Sequence, residues 1–442
     1  MKRTAVSWFG LPAVALSCLV TFSAGVVFAG PAVGENRVTP GNFTGYGFDQ
    51  CVAPTQTDMD AWLTSSPYWA VGIYISGDSR GCYSQPNLTL AWISTQLDNG
   101  WRLLPLTVGP QAWCTNRDSY LEDVRISPDS TDDYAEARQQ GRDEAAKTVT
   151  AAQALGIAAG STLWYDIEAF DISRTACRES ALSFLSAWTL KMHARGYVSG
   201  VYSSAASGIK MLDDANTYTP GEYAMPDQVW IADWNGEADI SSGHVRSTSW
   251  MPHRRIHQYR GGHDERYGGV TINVDSNYMS LGRGSVAPQT RLACGVGIDR
   301  RDYHRLQQAD NGEEVKALQC LLTRKGMYDG KLHGFFTART WNAVVDYQTA
   351  RRMKVSGIVS LRTWTALLSE GSEPVLKYGS ARNGVRRVQR ALNAAVDAHL
   401  PITGVYDAST AAAVNTYQGI RGLPATSVVA TDTWAQLMAG HR

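Results

Sequence analysis

Between residues 46 and 279 short apolar runs alternate with amphipathic stretches. The runs 46–50, 69–76, 103–108, 162–167, 198–203, 228–233, 255–259 and 272–277 have the length and β-branched or aromatic content of buried strands. The stretches 89–97, 133–155 and 178–194 carry helical spacing instead, and Leu182, Leu185, Trp188, Leu190 and Met192 in the last give a mostly buried face. Such alternation predicts parallel strands joined by crossover helices, and eight strands predict an α/β fold, a (β/α)8 TIM-like barrel. Too little sequence separates the last two strands for a full helix, so the barrel is expected to be irregular.

Past residue 300 the pattern changes to short helices, and it repeats. Val315, Leu318, Gln319 and Leu322 return 70 residues later as Val385, Val388, Gln389 and Leu392. Thr340, Val344, Tyr347 and Gln348 return as Thr410, Val414, Tyr417 and Gln418, and Thr363, Trp364 and Leu367 as Thr433, Trp434 and Leu437. Agreement without one insertion marks a tandem duplication, each unit a small three-helix all-α domain. In the second unit Ser427 replaces the Gly357 of the first. The expected organisation is a barrel over 43–281, repeats over 300–371 and 375–442, and a linker over 282–290 rich in Gly, Ser and Pro.

The first 29 residues read as a secretory signal: Lys2 and Arg3, then an apolar run, then Val27-Phe28-Ala29 before the expected cleavage point. A retained anchor is the competing reading, but Ser17, Thr21, Ser23 and Gly25 dilute the run, and no stable membrane insertion is expected after cleavage. Once Cys18 leaves, six cysteines remain, an even number that suits disulfides in an exported chain. Cys294 with Cys320 is the expected bridge of the second half; the other four belong to the first. Lys+Arg and Asp+Glu both number 41, so a uniformly basic nucleic-acid binder is excluded. The balance hides an asymmetry: 19 basic against 29 acidic residues over 30–290, and 20 against 12 over 291–442. The acid-rich stretch 116–133 reads as a solvated loop.

Chemistry in a (β/α)8 barrel sits at the C-terminal strand ends, and carboxylates recur there. Asp49 ends the first strand, Asp166 and Glu168 end the fourth, and Asp275 lies near the last. The i, i+2 spacing of Asp166 and Glu168 puts both on one face. Like charges gathered there raise each other's pKa, which suits a proton donor working near neutrality. Trp164, Trp234 and Tyr259 near strand ends are candidates for stacking on sugars. His253, His257 and His263 form the one histidine cluster, but it lacks the HExxH glutamate, so no metal and no cofactor are expected. No P-loop, GxSxG elbow or dinucleotide loop is present.

Gly47-Phe48-Asp49, Asp166-Ile167-Glu168, Trp230-Ile231-Ala232, Gln258-Tyr259 and Val274-Asp275-Ser276-Asn277 resemble the family 25 glycoside hydrolases, muramidases of the lysozyme class. More closely, the Gly-Phe-Asp opening followed by Cys51, with Tyr165-Asp166-Ile167-Glu168, is similar to the actinobacterial glycoside-hydrolase-like (DUF1906) barrel. The repeats resemble peptidoglycan-binding domains of bacterial wall hydrolases. The resemblance implies Glu168 as general acid, Asp166 as the group orienting the N-acetyl substituent or stabilising positive charge at the anomeric carbon, and Asp49 and Asp275 as sugar-holding, tuning carboxylates. Gln258 and Tyr259 are implied to bind substrate, with Tyr347 and Tyr417 marking wall contacts in the repeats. A secreted, wall-associated monomer whose partner is peptidoglycan is expected; the alternative is an exported barrel that binds glycan without cutting it.

Overall fold

A computed structural model describes residues 36–289 and 292–442; the expected signal segment and Cys18 lie outside them. Eight strands close a barrel in sequence order: β1 Phe43–Asp49, β2 Ala70–Ser76, β3 Arg102–Thr107, β4 Thr162–Asp166, β5 Val198–Ser204, β6 Gln228–Ala232, β7 Arg254–Tyr267 and β8 Val270–Leu281. Helices α1 Gln56–Ser65, α2 Leu90–Asn99, α3 Ala135–Ala154, α4 Thr175–Ala194 and α5 Lys210–Tyr218 accompany them. Alternation along each strand makes two cores. Leu163, Tyr165 and Ile167 face outward to the helices with Trp62, Phe184 and Trp188, whereas Leu104, Trp164, Trp230, Ile256 and Met279 fill the interior.

All eight predicted strands form, and the closure is irregular. Strand β8 runs antiparallel to both β7 and β1, where parallel strands were expected. Two residues, Gly268 and Gly269 at φ +57° and +86°, connect β7 to β8. Such a pair fits the tight turn of a hairpin, and a hairpin reverses direction. Helices α1 and α5 were not read from sequence.

The repeats form α6 Glu313–Arg324, α7 Ala338–Ala350 and α8 Leu361–Ser369, then α9 Asn383–Val396, α10 Ala408–Ile420 and α11 Thr431–Met438. Their apolar faces join in one core that includes Val315, Leu318, Trp364, Val388 and Trp434. Sharing a core offsets the small size of each unit. The duplicated glutamines are buried clamps. Gln348 accepts from the Ser356 and Gly357 N–H groups and donates to Ile358 O and Thr363 Oγ1. Gln418 repeats this with Ser427, Val428 and Thr433. Ser427, at φ +57°, takes the same left-handed turn as Gly357 at +66°, so the substitution leaves the loop intact.

The stretch 282–289 is pinned rather than free. Ser285 Oγ donates to Gly379 O at 2.6 Å and accepts from Thr44 N at 3.0 Å, tying barrel and second repeat together. Residues 36–442 form one compact unit. The key of this docking is Lys377, which enters the N-terminal end of the barrel. Its ammonium donates to Leu63 O (2.9 Å) and Ser66 O (3.1 Å) and lies 4.6 and 5.0 Å from the Trp69 and Trp101 rings. Burial pushes its pKa well down; the carbonyls and ring faces compensate the charge. Trp69 Nε1 donates to Ser380 Oγ, and Tyr278 meets Tyr378 at 3.1 Å between hydroxyls. Lys377→Ala is expected to destabilise the chain by about 1–3 kcal/mol, since it takes the donor from the buried Ser66 carbonyl and the half-buried Leu63 carbonyl. Urea unfolding followed by tryptophan fluorescence checks this; an unchanged midpoint would show that the contact contributes nothing to stability.

Candidate active site

Strands β1, β4, β7 and β8, with Trp234 just after β6, bring six of the predicted residues to one mouth. In the β1–β8 ladder Asp49 and Asp275 are directly paired, a placement in which like charges repel. Gly72 on β2 makes room for it, because a Cβ there would stand 2.4 Å from that of Asp49. Donors from β7 and β8 then reduce the repulsion. Gln258 Nε2 lies 3.2 and 3.3 Å from the two Asp49 carboxylate oxygens and 3.4 Å from Asp275 Oδ2. Asn277 Nδ2 donates to Asp49 Oδ1 at 2.6 Å, while its own carbonyl accepts from Trp230 Nε1 at 2.7 Å. Gln258 Oε1 accepts from Tyr202 Oη (3.0 Å) and Trp234 Nε1 (2.9 Å). One amide thus joins two acids, a phenol and an indole.

Asp49 is 3% exposed. Burial first, and Asp275 second, push its carboxyl up to about 8 despite the bonds from Asn277 and Gln258. Asp275 is also raised by burial, opposed by the Gly262 N–H and His263.

Across the mouth, Asp166 ends β4 and Glu168 continues its inward face. Gln111 holds this corner, donating to Asp166 O (2.9 Å) and accepting from Glu168 N (2.8 Å). The Asp166 carboxyl is buried, and among the described residues its Oδ1 has no partner. Burial, then Glu168 and Asp49, raise its pKa well above the carboxylate range. Glu168 is raised by burial and Asp275, against the pull of Arg117, whose guanidinium is 2.9 Å away. Tyr74, Tyr202 and Tyr120 also feel these carboxylates, and burial plus their charge raises all three phenols.

Trp234 is 66% exposed with its ring over Gly261, an aromatic face open beside the acids. Four other predicted contacts lie elsewhere. Trp164 is fully buried in the barrel interior, two residues below Asp166 on the same face and edge-on to Trp230; no sugar reaches it. Tyr259 alternates with the inward Gln258 and faces Ser276 and Glu265 outside the barrel. Tyr347 and Tyr417 are fully buried in the repeats, their hydroxyls bonded to Glu370 and to the His441 carbonyl. The histidines do not converge: His253 binds Ser280, His257 sits between the Asp239 and Asp233 carbonyls, and His263 pairs with Glu265.

Sequence reasoning quoted Asn277 within a motif but gave it no role, and it missed Tyr74, Tyr202, Gln111 and Arg117. Asn277 was detectable at i+2 from Asp275; Arg117 sits in an aperiodic loop that gives no such signal. Two disulfides fix the rim. Cys51–Cys82 ties the loops after β1 and β2, and Cys114–Cys177 ties the loop after β3 to the start of α4. Cys294–Cys320 fastens the segment before the first repeat to α6, as expected.

The fold is thus a closed barrel with an acid-lined C-terminal mouth, followed by two small helical domains. Residues 60–279 match the Rv2525c-like, glycoside hydrolase-like domain, and residues 311–367 and 381–437 each match a peptidoglycan binding domain. The barrel therefore carries an Rv2525c-like, glycoside hydrolase-like domain, and two peptidoglycan binding domains follow it. A Kitasatospora aureofaciens relative, described as the uncharacterized protein in the bpoA1 3' region, is 42% identical over 100 residues, 22% of this chain and 83% of that protein. The Mycobacterium tuberculosis Tat-secreted protein Rv2525c, solved with L-tartrate, is 14% identical with a TM-score of 0.35, covering 55% of this chain and 98% of that one. The modular autolysin LytC of Streptococcus pneumoniae is 11% identical with a TM-score of 0.33, covering 53% and 46%. Wall-binding domains and three disulfides are those of an extracellular or cell-wall protein. No described helix is long and apolar enough to cross a membrane.

The buried acids make stability depend on pH. Asp49 holds its proton up to about 8 when folded but only to about 4 when unfolded. Between these values the unfolded chain binds fewer protons, so this residue's contribution falls as pH rises through the window. Asp49→Asn removes that term. Its thermal midpoint is expected to fall less between about pH 5 and pH 8 than that of the wild type; parallel falls would contradict the assignment.

Proposed function

We propose that the barrel is a glycoside hydrolase acting on the glycan strands of peptidoglycan, a muramidase-type reaction, with the two repeats holding the protein to the wall. The observation that carries this reading is the convergence of Asp49, Asp166, Glu168 and Asp275 on one mouth beside the exposed face of Trp234. Glu168 protonates the glycosidic oxygen. Its raised pKa keeps a proton available, and its side chain, 17% exposed, is more open than that of the buried Asp166. Asp166, with an unpartnered oxygen, orients the N-acetyl group or stabilises charge at the anomeric carbon. Asp49 and Asp275, tied by Gln258, hold sugar hydroxyls and tune Glu168, whose pKa Asp275 raises. Trp234 supplies the sugar platform, a use to which its apolar face and bonded indole N–H are suited.

The Arg117–Glu168 pair favours a second reading, in which the barrel binds glycan without turnover, because the cation holds Glu168 towards its ionised form. Two experiments separate them. Glu168→Gln is expected to lower release of new reducing ends from purified peptidoglycan by about 10²–10⁴ while sedimentation with the wall persists. If wild type and variant are equally silent, the binding reading replaces the catalytic one. Arg117→Met removes the cation that favours the carboxylate, so the Glu168 pKa rises further and the alkaline limb of the rate profile moves to higher pH. An unmoved or acid-shifted limb would exclude Glu168 as the proton donor.

A further inference from the structure

The docking of the second repeat creates a cleft at the barrel end opposite the acids. It is a cavity of about 480 Å³ lined by Arg102 at the start of β3, Arg283 just after β8 and Arg382 at the start of α9, with Asn42, Ser285 and Ser380 between them. No aspartate or glutamate lines it among the described residues. Among the described residues the guanidiniums of Arg283 and Arg382 have no hydrogen-bond partner, and that of Arg102 reaches the Pro40 carbonyl and the Phe43 ring, 4.8 Å away. Arg37 stands close enough to repel both Arg102 and Arg382. Burial and these neighbours bring Arg102 down to about 10. The first repeat has no such face. At the equivalent positions Asp310 stands for Ser380, Gly312 for Arg382 and Gln307 for Lys377, and that turn is largely solvent-exposed.

Guanidiniums keep their charge at neutral pH, so three or four gathered with no acid among the described residues form a positive field. Their planar forks match oxyanions in bidentate fashion. A lone carboxylate carries one charge and leaves most of this field unbalanced, whereas phosphate groups repeated along a polymer bring several. We propose that this interdomain cleft is an anion site taking the phosphate groups of a phosphodiester polymer of the cell wall. The site is separate from the acid mouth and independent of whether the barrel turns over glycan.

The test uses the full mature chain and an Arg283→Gln/Arg382→Gln double variant, whose exposed side chains make no described bond. Binding of a poly(glycerol phosphate), with inorganic pyrophosphate as competitor, is measured by calorimetry beside polyglutamate of matched length. The wild type is expected to bind the phosphate polymer, with pyrophosphate displacing it. The double variant should bind about tenfold to a hundredfold more weakly, as loss of charge-assisted bonds requires. Polyglutamate should bind at least about tenfold more weakly than the phosphate polymer. Equal affinity of variant and wild type overturns the site. Equal affinity for polyglutamate overturns the phosphate assignment, and binding of pyrophosphate without the polymer overturns the polymer as ligand. Should the double variant fail to fold, Arg283→Lys/Arg382→Lys keeps the charge but loses the fork, and undiminished binding by it overturns bidentate recognition.

Discussion

Like charge confined to one barrel rim is the constraint around which this molecule is arranged. Closure through an antiparallel β8 sets Asp275 against Asp49, and the protein answers with amides rather than cations. Gln258 and Asn277 supply donors to the β1–β8 pair, and Trp230, Tyr202 and Trp234 orient those amides in turn. The β4 pair is treated differently: Asp166 keeps an unpartnered oxygen, and Glu168 meets one half-exposed arginine. Two acid pairs in different surroundings can hold different protonation states at one pH, which acid-base work on a glycosidic bond requires. Structural need alone does not explain the arrangement, since apolar residues would fill the mouth with less desolvation.

Rigidity follows the same logic. The two rim disulfides bind the first four strand–helix connections into a frame around Asp49 and Glu168. At the other end Lys377, Ser285 and the Tyr278–Tyr378 contact fasten the second repeat. A wall-binding module on a loose tether raises local concentration over every orientation the tether permits. A docked module favours only substrates that reach repeat and mouth in their fixed geometry. Removing the repeats would also uncover Trp69 and Trp101 at the barrel base, so truncation alters the barrel as well as the targeting.

The strands were legible because buried strands read as apolar runs whatever their partners, and the Asp166/Glu168 pair because period two is preserved through a strand end. Helices α1 and α5 escaped notice because α1 places only Met59 and Trp62 in the core and α5 follows an irregular turn. Sequence placed tryptophans near strand ends but could not say which face each takes, so Trp164 and Trp234 read alike although one is sealed and the other open. Tyr347 and Tyr417 misled for a related reason: a duplicated tyrosine marks whatever the duplication preserved, and here that is the fold. Arg117 and Lys377 are single long cations, and only tertiary contacts distinguish them from solvated ones. Lining up the repeats offers one hint, since Lys377 stands where the first copy has Gln307.

The charge asymmetry between the halves needs a local reading. The net positive charge of the second half suggests diffuse attraction to an anionic wall, yet several of its cations are already engaged. Lys377 is sealed in the barrel, Arg387 donates to Ser369 and Ser372 and stacks on Trp434, and Lys325 and Arg351 neutralise the buried Glu370. Positive charge that no acid offsets among the described residues also gathers where the halves meet, partly on arginines of the acidic half, Arg102 and Arg283. Counting charge by domain therefore misplaces the field. What an incoming polymer meets is set by the cations left unpaired after folding, and among the described residues three of these gather without an acid at the seam made by docking, at the end of the barrel away from the acids.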